Sequence, residues 1–205
     1  MSDAASPTPV APSQSPLAIA RQAILDSERS VFGYELFDRS VSATQHTAAS
    51  DAQLLFNLLS AADNQVLLER KTLFINCTHD SLAGGHLELV APDHIVLEIP
   101  PLPVTEVDQI QTRLPTLQAM HARGFRLAFD YSVLTRSYES WLPLASFIKF
   151  DVSVLKPASM ASFVKLAQSK SQAQLIAEKV ETALQHSQLQ DLGVALYQGL
   201  SLIHI

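Results

Sequence analysis

Short apolar runs alternate along the chain with longer segments of helical spacing. Leu17–Leu25 and Val31–Phe37 flank a polar turn, Asp26–Ser30, and predict a strand pair at the domain entrance. Ser50 and Asp51 can cap a helix whose apolar face carries Leu54, Leu55, Leu58 and Leu59. Thr72–Asn76 and His94–Ile99 are short apolar strand candidates. Val107, Ile110, Leu114, Leu117 and Met120 recur at helical spacing through Val104–Arg123; Gly124 supplies the stop, and Pro115 predicts a kink or a broken turn. Strand candidates Phe125–Phe129, Ser146–Phe150, Gln174–Ala177 and Val194–Tyr197 follow, with helices expected over Ala158–Gln168 and Val180–Leu189.

From Asp51 onward this order is that of parallel βα units. The strands show little polar alternation, as expected when both faces are covered. The fold class is α/β, and both a TIM-type β/α barrel and an open doubly wound sheet satisfy the pattern. The chain has no GxGxxG or P-loop motif, which argues against the commonest nucleotide-binding open sheets.

Composition narrows the classes of function. The 205 residues are 47% hydrophobic and 17% charged, enough for one domain with a real core. Residues 1–16, rich in Ala, Ser and Pro, read as a disordered lead-in without the basic and apolar regions of a signal peptide. The net charge is -6 and Lys and Arg do not cluster, which argues against binding to duplex nucleic acid. No run approaches the roughly 20 apolar residues of a membrane span, so a cytoplasmic location is expected. Cys77, the single cysteine, lies in an apolar run and reads as a buried, inert thiol. His79, His86 and His94 read as exposed loop residues, and Trp141 and Phe147 as core.

The candidate chemistry lies at the strand ends. Successive apolar runs finish in Asn76, Glu98, Asp130, Asp151, Glu178 and Gln198, and Lys149 lies within the run before Asp151. In a β/α barrel such ends share one face, where active sites are built. Four carboxylates and an amide converging there would suit a hard cation, Mg²⁺ or Mn²⁺. Any single polar residue after a strand is more commonly a turn or cap residue; the recurrence carries the argument.

The segment ARQAILDSERSVFGYELFDR, followed in order by FIN, VLEI, GFRLAFD, FIKFD, LIAEKVET and YQG, resembles the EAL domains, the cyclic di-GMP phosphodiesterase family. The resemblance covers Leu17 to Gly199 and implies a TIM-type barrel with an irregular first strand pair. It implies metal ligands at Glu35, Asn76, Glu98, Asp130 and Asp151, and acid–base or water-positioning roles for Lys149 and Glu178. It also implies dinucleotide contacts from Gln22, Arg39 and Gln198. In active relatives two divalent metals activate a water that opens cyclic di-GMP to linear pGpG.

Three departures from the family pattern stand out. Tyr131 replaces the second Asp of an Asp-Asp-Phe-Gly stretch, and a neutral phenol cannot stand in for a carboxylate on a divalent cation. Pro100 and Pro101 replace a Thr-Glu pair whose Glu holds the catalytic loop. Lys179 replaces a Gly, a form similar to the EAL half of EAL–HDOD signalling proteins. The expectation is a degenerate, catalytically inactive module with one metal site rather than two, acting through protein partners or cyclic di-GMP. The alternatives are a residual phosphodiesterase and an unrelated barrel enzyme. A back-translation of Leu200–Ile205 reads as a transposon-derived adapter, so residues 200–205 are expected to be a non-native tail, with a closing helix and an HDOD domain lost.

Overall fold

A computed structural model describes residues 19–38, 47–52 and 71–199. The expected lead-in, the helix face from Leu54 to Leu59, Arg39 and the tail lie outside the described residues.

The described residues form eight strands: β1 (Ile19–Leu25), β2 (Val31–Asp38), β3 (Thr72–Asn76), β4 (Ile95–Ile99), β5 (Arg126–Asp130), β6 (Ala145–Asp151), β7 (Gln174–Glu178) and β8 (Leu196–Gln198). They close a barrel in sequence order. The expected entrance pair is an antiparallel hairpin of β1 and β2, with the Asp26 carboxylate accepting from the Glu28 and Ser30 amides in its turn. From β2 to β8 neighbours are parallel, and β1 closes the ring antiparallel to β8. Closure settles the choice that periodicity left open: the sheet is a TIM-type barrel.

Three helices are described from end to end: α1 (Val107–Ala122), α2 (Pro157–Lys170) and α3 (Ala183–Asp191). In α1, Ile110, Leu117 and Met120 are buried while Val107 is exposed. The helix runs unbroken through Pro115, so no broken turn occurs. The α3 segment begins three residues later than its apolar pattern predicts. Thr182 and Gln185 form a reciprocal capping box there, leaving Val180 buried in the strand-to-helix turn. The first helix also starts elsewhere than expected: residues 48–52 are helical, and Thr47 and Ser50 exchange the capping hydrogen bonds. Asp51, freed from capping, is fully buried and accepts from the Thr78 amide and hydroxyl at 2.8 and 3.1 Å.

Two apolar layers result. The larger lies between barrel and helices and contains Cys77, Trp141 and Tyr138. Burial pushes the Cys77 thiol well above its ordinary pKa, as expected of an inert cysteine. The smaller layer plugs the lumen: Ile24, Phe74, Val96, Ala128, Phe147, Ile176 and Leu196, one from each of seven strands. Strand β2 adds the partly buried Phe32, whose ring meets Phe74 and Phe147, and next to it Gly33. A Cβ there would stand 2.3 Å from the Thr72 carbonyl oxygen, so only glycine lets β2 approach β3 this closely.

Candidate active site at the barrel mouth

Side chains on a strand return to the same face every second residue. Two positions on from Phe74, Val96, Ala128, Phe147, Ile176 and Leu196 stand Asn76, Glu98, Asp130, Lys149, Glu178 and Gln198. On the reversed strand β1, the step from Ile24 leads back to Gln22, which pairs with Glu35 of β2. Each of the eight strands thus supplies one polar residue to a layer directly above the apolar plug.

At its centre is Lys149. Its Nζ lies 2.8 Å from Glu35 Oε2, 2.9 Å from Glu98 Oε2 and 3.0 Å from Glu178 Oε1. Gln198 Nε2 donates to Glu35 Oε2 at 2.6 Å and to Gln22 Oε1 at 3.0 Å, and Asn76 Nδ2 donates to Glu35 Oε1 at 3.1 Å. Glu35, Glu98, Lys149 and Gln198 are all buried. The Gln198 Oε1 atom is buried with no hydrogen-bond partner among the described residues. Beyond Gln198, Gly199 packs so closely that a Cβ would meet the Val180 carbonyl oxygen at 1.9 Å.

Burial and charge act in opposition here. Burial would raise the Glu35 carboxyl, but the Lys149 charge and hydrogen bonds from Lys149, Gln198 and Asn76 hold it below its ordinary value. For Glu98 burial wins over Lys149, with Glu35 and Glu178 adding like charge, and its pKa is pushed up to about 8. Burial would lower Lys149, but Glu98, Glu35 and Glu178 hold it above the usual lysine range as a permanent cation.

The other expected ligands do not join this cluster. Asp130 Oδ1 caps its own loop, accepting from Ser132 N at 2.9 Å. Asp151 Oδ1 accepts from the Ser153 amide and hydroxyl, and its Oδ2 lies 2.5 Å from Lys179 Nζ. Tyr131, 40% exposed, packs edge-on against Phe163 of α2. Arg39 lies outside the described residues.

These residues can be tested against a divalent cation. Their donors are hard oxygens, as Mg²⁺ or Mn²⁺ requires. Three carboxyl groups face one ammonium; burial lifts Glu98, and the like charges of Glu35 and Glu178 add to the rise. Donor chemistry and charge therefore fit a hard cation near Glu35, Asn76 and Glu98. Among the described residues, no three carboxylate, imidazole or thiol groups already converge on a common point. Lys149 stands between the carboxylates, so an ion would compete with its ammonium.

The loop after β4 is held by groups that local patterns do not reveal. His79 pairs through Nε2 with the Pro100 carbonyl at 2.9 Å and packs beside Trp141. The Tyr138 hydroxyl accepts from Leu102 N at 2.6 Å and donates to Leu102 O at 2.5 Å. His79 is thus half-buried and engaged, contrary to the expected exposed histidine. These contacts join residues 21 and 36 positions apart, a separation at which spacing carries no signal.

The closed barrel, its antiparallel entrance strand and its polar mouth define an α/β barrel of the EAL type. No family model matches the sequence. A curated relative, the cyclic di-GMP phosphodiesterase CdgJ of Vibrio cholerae, is 31% identical over 196 residues. The match covers 88% of this chain and 42% of the relative, so the chain spans less than half of that protein's length. Among solved structures, the EAL domain of Mycobacterium smegmatis DcpA has a TM-score of 0.71 at 24% identity, covering 91% of both chains. A PaMucR phosphodiesterase–c-di-GMP complex has the same TM-score at 19% identity, covering 92% of this chain and 96% of that one. The manganese and cyclic di-GMP complex of Klebsiella pneumoniae BlrP1 has a TM-score of 0.68 at 22% identity, covering 95% of this chain and 57% of that one. The barrel is an EAL domain.

Proposed function

We propose that this domain is a cyclic di-GMP-binding signalling module whose mouth takes one divalent cation and whose hydrolytic activity is impaired. The observation that carries the reading is the division of the mouth. Glu35, Asn76, Glu98, Lys149, Glu178, Gln22 and Gln198 meet in one layer, while Tyr131 packs against Phe163 and Asp151 is engaged by Lys179 and Ser153. The first group keeps the donors for one Mg²⁺ or Mn²⁺ ion, and the polarised atoms to receive a dinucleotide. A hard cation held there would neutralise phosphate charge and lower the pKa of a bound water. Two-metal hydrolysis needs a fuller second donor set: Tyr131 brings no carboxylate to it, and Asp151 is engaged by Lys179 and Ser153.

The second reading is a residual phosphodiesterase. It is supported by Lys149 and Glu178 standing 3.0 Å apart beside Glu35 and Glu98. The protein partners, an accompanying HDOD domain and a cytoplasmic location belong to this proposal too. No described helix is long and apolar enough to cross a membrane.

Calorimetric titration with cyclic di-GMP, with and without Mg²⁺, is the direct test. Metal-enhanced binding is the expected result, and absence of binding in both conditions would overturn the proposal. A parallel assay for pGpG separates the readings: robust turnover with Mg²⁺ or Mn²⁺ favours the residual enzyme.

A further inference from the structure

We propose that Lys179 is a built-in cation at the rim of the barrel mouth, supplying to Asp151 the charge that a second divalent ion would otherwise bring. The inference rests on the reading of the mouth as a divalent-cation site. Asp151 and Glu178 are register partners on the neighbouring parallel strands β6 and β7, so two carboxylates stand side by side at the rim. Such a pair invites a hard cation. Here each carboxylate already meets an ammonium. Lys149 reaches Glu178 from within the lumen at 3.0 Å, and Lys179 reaches Asp151 at 2.5 Å. Ser153 occupies the other Asp151 oxygen through its amide at 2.8 Å and its hydroxyl at 2.6 Å.

The backbone supports a specific role for this lysine. Lys179 has φ 56°, the left-handed region that glycine adopts freely and a lysine rarely does. The turn is fixed on its far side, where Val180 N donates to Gln198 O at 3.0 Å and Gly199 packs against the Val180 backbone. A glycine would satisfy this backbone without strain. A lysine satisfies it at a conformational cost and adds a charge 2.5 Å from Asp151.

The experiment is to count bound Mn²⁺ by calorimetry and by electron paramagnetic resonance. It compares the unaltered chain with Lys179→Gly, Lys179→Arg and the double variant Lys179→Gly, Asp151→Asn. Lys179→Gly also relieves the left-handed strain, so its fold is protected. The expected result is one ion in the unaltered chain and in Lys179→Arg. Lys179→Gly should gain a second, with affinity about tenfold or more above any second-ion binding in the unaltered chain, and the double variant should lose it again. Two ions in the unaltered chain would overturn the inference. One ion in both the unaltered chain and Lys179→Gly would overturn it while leaving the single-cation reading intact. No ion in any variant would overturn both.

Discussion

Lys149 concentrates the physics of the site in one side chain. It is buried among Glu35, Glu98 and Glu178, and each contact is within 3.0 Å. Removing one partner from a buried ion cluster costs more than the cluster contributes, because the remaining charges stay desolvated. Lys149→Met should therefore lose about 3–5 kcal/mol of stability in the absence of divalent ions. Urea unfolding monitored by circular dichroism measures this. Mn²⁺ should restore more stability to the variant than it adds to the unaltered chain; equal effects on both would count against a cation site at Glu35 and Glu98. The sequence marks Lys149 within the apolar run that ends in Asp151 but cannot show that its ammonium faces three carboxylates. That depends on where other strands fold, those of Glu35 and Glu98 lying 114 and 51 positions away. Asp130 and Asp151 show the converse. Their place in the pattern is the same as that of Glu98, yet their short side chains accept hydrogen bonds from residues two positions on. Aspartate makes such local turns readily.

Among the elements, boundaries were the least legible feature. The apolar run from Val180 resembles the start of α3, yet the helix begins at Ala183 because Thr182 caps it. Thr182 Oγ1 accepts from Gln185 N at 3.1 Å, and Gln185 Oε1 accepts from Thr182 N at 3.0 Å. Thr182→Ala should cost about 1 kcal/mol, read as a lower urea midpoint with an unchanged slope. No shift in the midpoint would mean that packing rather than capping fixes this helix start. The same correction applies at Thr47, where the cap lies three residues ahead of the expected Ser50. Strands were more legible: TLFIN forms β3 over the predicted residues, because a lumen strand covered on both faces needs an uninterrupted apolar run.

For the molecule as a whole, pH adds a test of the packing that joins α3 to β8. His186 of α3 is buried against the Tyr197 ring, with centroids 4.3 Å apart. Burial, and then the Arg29 charge, hold its imidazole below the ordinary value of 6.5. Below pH 6.5 the unfolded chain takes up a proton that the folded chain refuses, so stability falls as pH drops toward the folded pKa and levels off beneath it. His186→Phe should lessen this acid-side loss, with little change in pH dependence above pH 7. Thermal melts of both proteins from pH 5 to pH 8 check it; parallel curves would show that His186 titrates normally.

The amino-acid sequence by itself determined the order of elements, the apolar strands and the polar residue closing each one. These are local properties, set by side-chain periodicity and by short-range competition between backbone and side-chain hydrogen bonds. Its resemblance to the EAL domains also anticipated the irregular entrance pair. Only the tertiary structure decided that the sheet closes, since closure depends on β1 meeting β8. Closure places Gln22 beside Gln198, 176 positions away, and gives Lys149 its three carboxylates. The parallel pairing of β6 with β7 brings Lys179 onto Asp151. Electrostatic interactions depend on distance in space, and a chain folded into a ring makes neighbours of residues that no local spacing relates.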